Sequence, residues 1–383
     1  MSPPVPPWLQ RAYNQDHITS VWRILSERES SRICTRLLSA SHPEQDPCRS
    51  LPTPLSSSAH PGENLANHYS IALGCSSENR RLNRYLDIQP YDRTRVAVGG
   101  RYFNGNWVRE RAGGCWTIAT QAPLPSTTHE FLSIIAGIHS PLIPPGEPSA
   151  KSTRVRTIVQ LTPYFESGRQ KAHPYFPFER GESGVIYPAK ETSELPPLKL
   201  TLVKVEVIES ANCVACTVSI APISAEGGAM PAVLFRHLLY GAWPDNGVPE
   251  PDDRASLLSF IELVDRTNKD LSGLEANADV EPPIMVHCSA GIGRTGSFIA
   301  LCSLLRSNGL LSKPSPHTAE RAPLPQSPLG PLPESISWDD VGQEIDSLRE
   351  QRPGMVQRPE QALLIYEILI ATFILMAKGN VVH

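Results

Sequence analysis

The chain has 383 residues, 40% of them hydrophobic and 19% charged, with a formal charge of -4 and a sequence pI near 6.3. That is enough apolar material for one large core or two moderate ones, and the slightly acidic balance excludes broad nucleic-acid binding. Eight unevenly spaced cysteines in this length do not make the dense disulfide framework of a small secreted domain, so a reducing compartment and a cytoplasmic location are expected.

Met1 to Pro7 lacks the basic start and apolar core of a signal peptide. From Trp8 to Leu38 the residues Ile18, Val21, Trp22, Ile24 and Leu25 recur at helical spacing, and Asp16 to Arg32 holds no Pro or Gly, which predicts a helical arm. Ser39 to Gly62 is rich in Ser, Pro and His with little to bury, and reads as a mobile surface loop. Residues 1–62 are therefore expected as arm and flexible loop, and 63–383 as one folded domain. Asn79 to Val96 mixes basic and aromatic groups; by itself it reads as a solvated loop, with Tyr85 as a hydroxyl-capped core aromatic.

Thr127 to Ile138 is helix-like, Ser140 to Ser149 looks like an inserted loop, and Arg156 to Thr162 reads as a buried strand. Strand alternation returns in Val203 to Val207, in Val214, Cys216, Val218 and Ile220, and in Ala232 to Tyr240, predicting a large mixed or antiparallel sheet. Cys213 and Cys216 form a C-x-x-C with no second pair or His pair at a zinc spacing, which points to strand packing. In Trp243-Pro-Asp245-Asn246-Gly-Val-Pro249 the aspartate alone would be a turn former. Asp252 to Thr267 places Leu257, Leu258, Ile261 and Val264 on one helical face.

The chain then reaches Val286-His287-Cys288-Ser289-Ala290-Gly291-Ile292-Gly293-Arg294-Thr295-Gly296, set between an apolar run and a helix-like run. A strand feeding a tight loop and a helix start turns backbone N–H groups toward one centre, which suits a dianionic phosphate. Arg294 can grip two phosphate oxygens with a planar fork that lysine lacks. Cys288 in that field is expected to ionise readily, because thiols at helix N-termini or beside cations fall to roughly pKa 3.5–7.5 from about 8.5. Gly291, Gly293 and Gly296 also spell the dinucleotide fingerprint, but that needs a βαβ unit with an acidic residue about 20 residues on, and a proline-rich tract follows instead.

Ser312 to Ser335 carries two P-x-x-P arrangements, at Pro325 to Pro328 and Pro328 to Pro331, and reads as a disordered insertion at 312–335 with an SH3-type ligand as the minority reading. Trp338 to Glu350 looks helical. Ala362 to Ala377 is strongly apolar but short and interrupted by Glu367, so it is expected to be a buried helix and no membrane span.

The His-Cys, Gly, Arg-Thr pattern, with cysteine and arginine six positions apart, resembles the signature of the cysteine-dependent protein tyrosine phosphatases. Further motifs over Arg80 to Ala377 resemble that family in the expected order: Asn83-Arg-Tyr85 with Asp87, the strands Arg101 to Val108 and Trp116 to Pro125, Phe165 to Pro177, Trp243-Pro-Asp245, and Gln357 with Gln361. The resemblance implies an α/β (α+β) fold with a large twisted mixed β-sheet flanked by helices, and a monomer that needs no metal or cofactor. It implies that phosphotyrosine-containing proteins are the substrates and that Cys288 is the nucleophile. Arg294 and the amides of Ser289, Ala290, Gly291, Ile292 and Gly293 would bind the phosphoryl group. Asp245 would be the general acid, Thr295 would stabilise the returning thiolate, and Gln361 with Gln357 would hold water. His287 would hold the loop, Tyr85 would stack on the substrate ring, Asp87 would accept from its backbone, Glu166 would brace Arg294, and Lys171 would lie near the acid loop. The chain departs from the family pattern at Ala122 (commonly Gly), Asn246 (commonly His) and Arg358 (commonly Thr). The last two leave open a catalytically impaired module that captures phosphotyrosine.

Overall fold

The computed structural model describes residues 5–40, 61–138, 143–145, 154–189, 194–228, 230–245, 247–272, 279–313 and 324–377. In chain order, helices α1 (Pro7–Ala12), α2 (Gln15–Ala40), α3 (Pro61–His68) and α4 (Ala72–Cys75) precede strands β1 (Gly105–Arg109) and β2 (Trp116–Thr120). Helix α5 (Thr128–Ala136) leads into β3 (Thr157–Gln160), the small pair β4 (Phe165–Glu166) and β5 (Arg169–Gln170), and the run β6 (Ser183–Ile186), β7 (Leu198–Ile208), β8 (Cys213–Pro222) and β9 (Val233–Tyr240). Helix α6 (Arg254–Lys269), strand β10 (Ile284–His287) and helices α7 (Gly293–Ser307), α8 (Asp340–Gln351) and α9 (Pro359–Ala377) complete it.

The main sheet has eight strands in the order β1-β2-β10-β3-β9-β8-β7-β6. Its centre is parallel, β10 lying between β2 and β3 with β9 beyond, and its margins are antiparallel. Parallel strands covered on both faces read as continuous apolar runs, and β10 shows why. Met285 stands level with Ile118 and Ile158 in the core that α5 covers, while Val286 stands level with Ala119 and Val159 in the core that α6, α7 and α9 cover. This is the α/β arrangement with a large mixed sheet that the family resemblance implies. Cys213 and Cys216 are buried free thiols in β8.

Four expectations change. The N-terminal arm is part of the domain: Leu9, Ala12, Ile18, Val21, Ile24 and Leu25 join the same apolar core as α6 to α9, and Arg28 and Arg32 of α2 pair with Asp346 and Glu350 of α8. The proline-rich segment is seated, from residue 324 onward, where Arg28 donates to the carbonyls of Leu329 and Gly330 at 3.3 and 2.8 Å and Ser327 donates to Glu350. Its P-x-x-P runs therefore belong to the folded surface. Val203, Val205 and Val207 do lie on a strand, but a bulge between Leu202 and Lys204 interrupts its register, and all three valines are exposed to solvent and join no core. Tyr85 is half-buried, with its hydroxyl on Ser289, and is no core aromatic. The expected loops at Ser39 to Gly62 and Ser140 to Ser149 lie mostly outside the described residues, as does Asn246.

Among the described residues α9 is the one helix long and apolar enough to cross a membrane. Leu364, Ile365, Ile368, Leu369 and Phe373 place it in the core instead.

Candidate active site

The site is built where β10 stops and α7 starts. Leu161 N–H donates to the His287 carbonyl at 2.9 Å, continuing the sheet to its last residue, and Gly293 opens the helix five residues after Cys288. Between them the chain must turn sharply. Gly291 has φ +73°, and a β-carbon there would lie 2.0 Å from the Thr120 carbonyl oxygen, so the loop passes against β2 at a distance only glycine allows. Gly296 is tight in the same way, its missing β-carbon 2.4 Å from the Val356 nitrogen.

The loop is held from behind by Arg352, which is wholly buried. Its guanidinium donates to the Gly291 and Ala290 carbonyls at 2.7 and 3.1 Å and to Asn106 Oδ1 and Asn104 Oδ1 at 2.8 and 3.0 Å. A trans peptide places N–H opposite C=O, so tethering the Ala290 carbonyl aims the Gly291 amide the other way, at Cys288 Sγ, 3.3 Å off. Burial pushes Arg352 down to about 10.

Burial opposes ionisation of Cys288, but the Arg294 charge, the Thr295 hydroxyl and amide and the Gly291 amide outweigh it, leaving the thiol below its ordinary value. The Thr295 hydroxyl is buried and has no competing protein partner. Burial pushes His287 down to about 4, so its ring is neutral at physiological pH. Nδ1 lies 3.0 Å from the Cys288 carbonyl, an acceptor, so Nδ1 carries the proton and Nε2 accepts from the Tyr175 hydroxyl at 3.1 Å. His287 thus steadies the main chain of the loop and does not reach the sulfur.

Arg294 forms a two-pronged pair with Glu166, Nη1 to Oε1 at 2.8 Å and Nη2 to Oε2 at 2.9 Å, and donates to the Leu161 carbonyl at 3.0 Å. Asp245 reaches the same centre from its own loop: Oδ1 is 3.3 Å from Arg294 Nη2 and Oδ2 is 2.6 Å from Lys171 Nζ. Trp243 anchors that loop, fully buried with its indole N–H on the Gly247 carbonyl at 3.1 Å.

At the rim, the Tyr85 hydroxyl donates to Ser289 Oγ at 2.8 Å, and Ser289 Oγ donates onward to the Lys171 carbonyl at 2.7 Å. Tyr85 is positioned by buried Asn83, which accepts from Tyr102 and Asn104 and donates to the Gly74 carbonyl, and by Gln121, which accepts from Arg84 N–H. Asp87 is exposed beside it. Ala122, fully buried, donates its N–H to the Ser289 carbonyl at 3.0 Å, so the small side chain is tolerated where the loop meets β2. On the other side, Gln361 Nε2 and Gln357 Oε1 stand 3.0 and 3.4 Å from where a Gly293 β-carbon would be. Gln361 Oε1 accepts from the Gln357 and Arg358 amides at 3.0 and 3.3 Å. Arg358 joins this loop through its main chain, with its side chain exposed.

The structure therefore gathers Cys288, Arg294, Thr295, Asp245, Glu166, Lys171, Tyr85, Ser289, Gln357 and Gln361 around the loop between β10 and α7. Arg352 and Tyr175 were not foreseen. The one visible signal for Arg352 was a lone cation in Arg352-Pro-Gly-Met-Val, just before the glutamines.

The family model for the protein-tyrosine phosphatase matches residues 79–144 and 149–313, and the chain belongs to that family. It is 28% identical over 303 residues to human tyrosine-protein phosphatase non-receptor type 13, covering 78% of this chain and 10% of the relative. It is 32% identical over 232 residues to the rat phosphatidylinositol phosphatase PTPRQ, covering 58% of this chain and 8% of the relative. The chain thus spans a small part of the length of both. Among solved structures, one of PTPN18 from work on its fingerprint on distinct HER2 tyrosine phosphorylation sites is 26% identical, with a TM-score of 0.56, covering 80% of this chain and 87% of that one.

Proposed function

We propose that this chain is an active tyrosine phosphatase that hydrolyses phosphotyrosine in proteins through a cysteinyl-phosphate intermediate. The observation that carries this reading is the convergence of the acidified Cys288 thiol, the Arg294 fork and the Asp245 carboxylate from three separate elements.

Phosphoryl transfer passes through a loose transition state with charge on the equatorial oxygens, so fixed donors and positioning do most of the work. The Cys288 thiolate attacks phosphorus and the bond to the phenolic oxygen breaks. Arg294 and the loop amides hold the three oxygens, and Asp245 gives its proton to the departing phenolate. In the second step a water oriented by Gln361 and Gln357 loses its proton to Asp245 and attacks phosphorus. The sulfur leaves as a thiolate, to which Thr295 donates. Ring depth would select phosphotyrosine, whose phosphate reaches Cys288 past Tyr85 where a phosphoserine would fall short.

The test uses the purified chain in chelator with phosphotyrosine peptide, phosphoserine peptide and a phosphoinositide, following released phosphate. Turnover of the phosphotyrosine peptide alone, abolished in Cys288→Ser while peptide binding persists, is the expected result. Binding without turnover by the unsubstituted chain would make it a phosphotyrosine-capturing module, and preference for the lipid would replace the substrate class.

A further inference from the structure

Among the described residues, the proline-rich segment that follows α7 is fastened to α2 and α8 at the turn around Ser327. Ser327 Oγ donates to Glu350 Oε1 at 2.8 Å and receives the Leu329 N–H at 3.2 Å, while the Ser327 carbonyl receives the Gly330 N–H at 2.9 Å. Arg28 of α2 spans the same turn, donating to the Leu329 and Gly330 carbonyls and pairing with Asp346 of α8. Leu329 packs on the small cluster of Tyr69, Ile71 and Tyr91. Glu350 is already crowded, since Arg32, His68 and Tyr69 all bond its carboxylate.

Ser327 is followed by Pro328, and Pro325, Gln326 and Pro328 are exposed, so a serine-proline dipeptide sits on an accessible turn. Serine followed by proline is the acceptor that proline-directed kinases require. We propose that Ser327 is a phosphorylation site whose modification releases this strap from α2 and α8. In that step the Ser327 oxygen bonds to the γ-phosphorus of ATP, the bond from that phosphorus to the β-phosphate bridging oxygen breaks, ADP leaves, and the hydroxyl proton passes to the kinase's base.

The consequence follows from the bonds present. Phosphate adds about -1.5 to -2 charge at neutral pH and removes the donor, so a 2.8 Å hydrogen bond to Glu350 becomes a like-charge contact. The cation positioned to compensate is Arg28, with Nη2 3.4 Å from Ser327 Oγ. To engage the phosphate fully, that nitrogen must give up either the Gly330 carbonyl, itself a tether of the strap, or Asp346 Oδ2, its link to α8. Repulsion and rescue both loosen the turn. Glu350 lies two residues before Arg352, and its carbonyl and that of Gln351 accept from Arg93 and Thr94 below the Tyr85 loop, so the change arrives next to the active-site support.

The test incubates the full chain with a purified mitogen-activated protein kinase and ATP, maps phosphate by mass spectrometry, and times thermolysin cleavage at Leu329 and Leu332. Phosphate on Ser327 with cleavage about tenfold faster is expected, since cleavage of a transiently opened segment tracks its open population. In Ser327→Ala the kinase should leave the cleavage rate as it was before treatment, which separates Ser327 from any other serine modified. Full phosphorylation at Ser327 with unchanged cleavage, or no phosphate at Ser327, overturns the proposal. Neither readout depends on phosphatase turnover.

Discussion

Replacing Glu166 by Gln isolates what positions Arg294. The carboxylate now accepts one bond at each oxygen, 2.8 and 2.9 Å, from the two terminal guanidinium nitrogens, with both side chains less than a tenth exposed. The amide keeps the shape but offers one acceptor, and its NH2 group faces an arginine NH2 group. One charge-assisted bond is lost, and such bonds contribute about 1.5–3 kcal/mol. If that stabilisation is felt where Arg294 meets the transition state, kcat/KM falls about 10- to 150-fold. Cys288 should not notice, because its thiolate is held by Arg294, Thr295 and Gly291, and the arginine charge remains. The assay is steady-state hydrolysis of a phosphotyrosine peptide beside the pH profile of Cys288 alkylation by iodoacetamide. Undiminished kcat/KM refutes the positioning role. A shift of one pH unit or more in the alkylation profile, with kcat/KM reduced, refutes the separation of positioning from electrostatics.

The same alkylation profile in the unsubstituted protein should have its half-point below the ordinary thiol value of about 8.5, because the thiolate persists to lower pH when its pKa is depressed. Arg294→Met should move the half-point up, the cation being gone while burial stays; a half-point at or above the ordinary value in the unsubstituted protein contradicts the site as described. Gly291→Ala places a β-carbon 2.0 Å from the Thr120 oxygen at φ +73°. The backbone strain alone is roughly 1–3 kcal/mol, so both turnover and thermal midpoint should drop, and an alanine variant that melts and turns over normally would mean the loop has another path.

The chemistry was legible because it is local. Cys288, Gly291 and Arg294 lie on seven consecutive residues whose spacing forces strand, turn and helix start, and those residue types have few other uses together. Trp243-Pro-Asp245 and the two glutamines were readable for the same reason. What hid was everything set by partners far along the chain. The periodicity of α2 showed a helix with an apolar stripe but not that α8 waits more than 300 residues later to pair with Arg28 and Arg32. Proline richness argued for disorder across 312–335 because composition counts side chains, whereas from residue 324 the described part is held at its turn largely by its own carbonyls and one serine. Arg352 drew no reading of its own, since a buried cation is recognised only when its four acceptors are seen. The valines of β7 misled in the opposite sense: their alternation marks a real strand, but all three are exposed to solvent.

Arg349, one turn before Arg352, links the two ends of the chain. It is buried, stacked over Trp22, and it donates to the Leu25 carbonyl of α2 and to the Met355 and Val356 carbonyls just ahead of Gln357. The segment that defines the family, 79–313, contains neither of these partners nor the glutamines. A fragment trimmed to it would keep Cys288, Arg294 and Asp245 while lacking Gln357, Gln361 and the Arg352 strut behind the loop. Arg349 thus ties α2 to the segment that carries the two glutamines, so the shared signature is a marker inside a larger braced structure rather than its boundary.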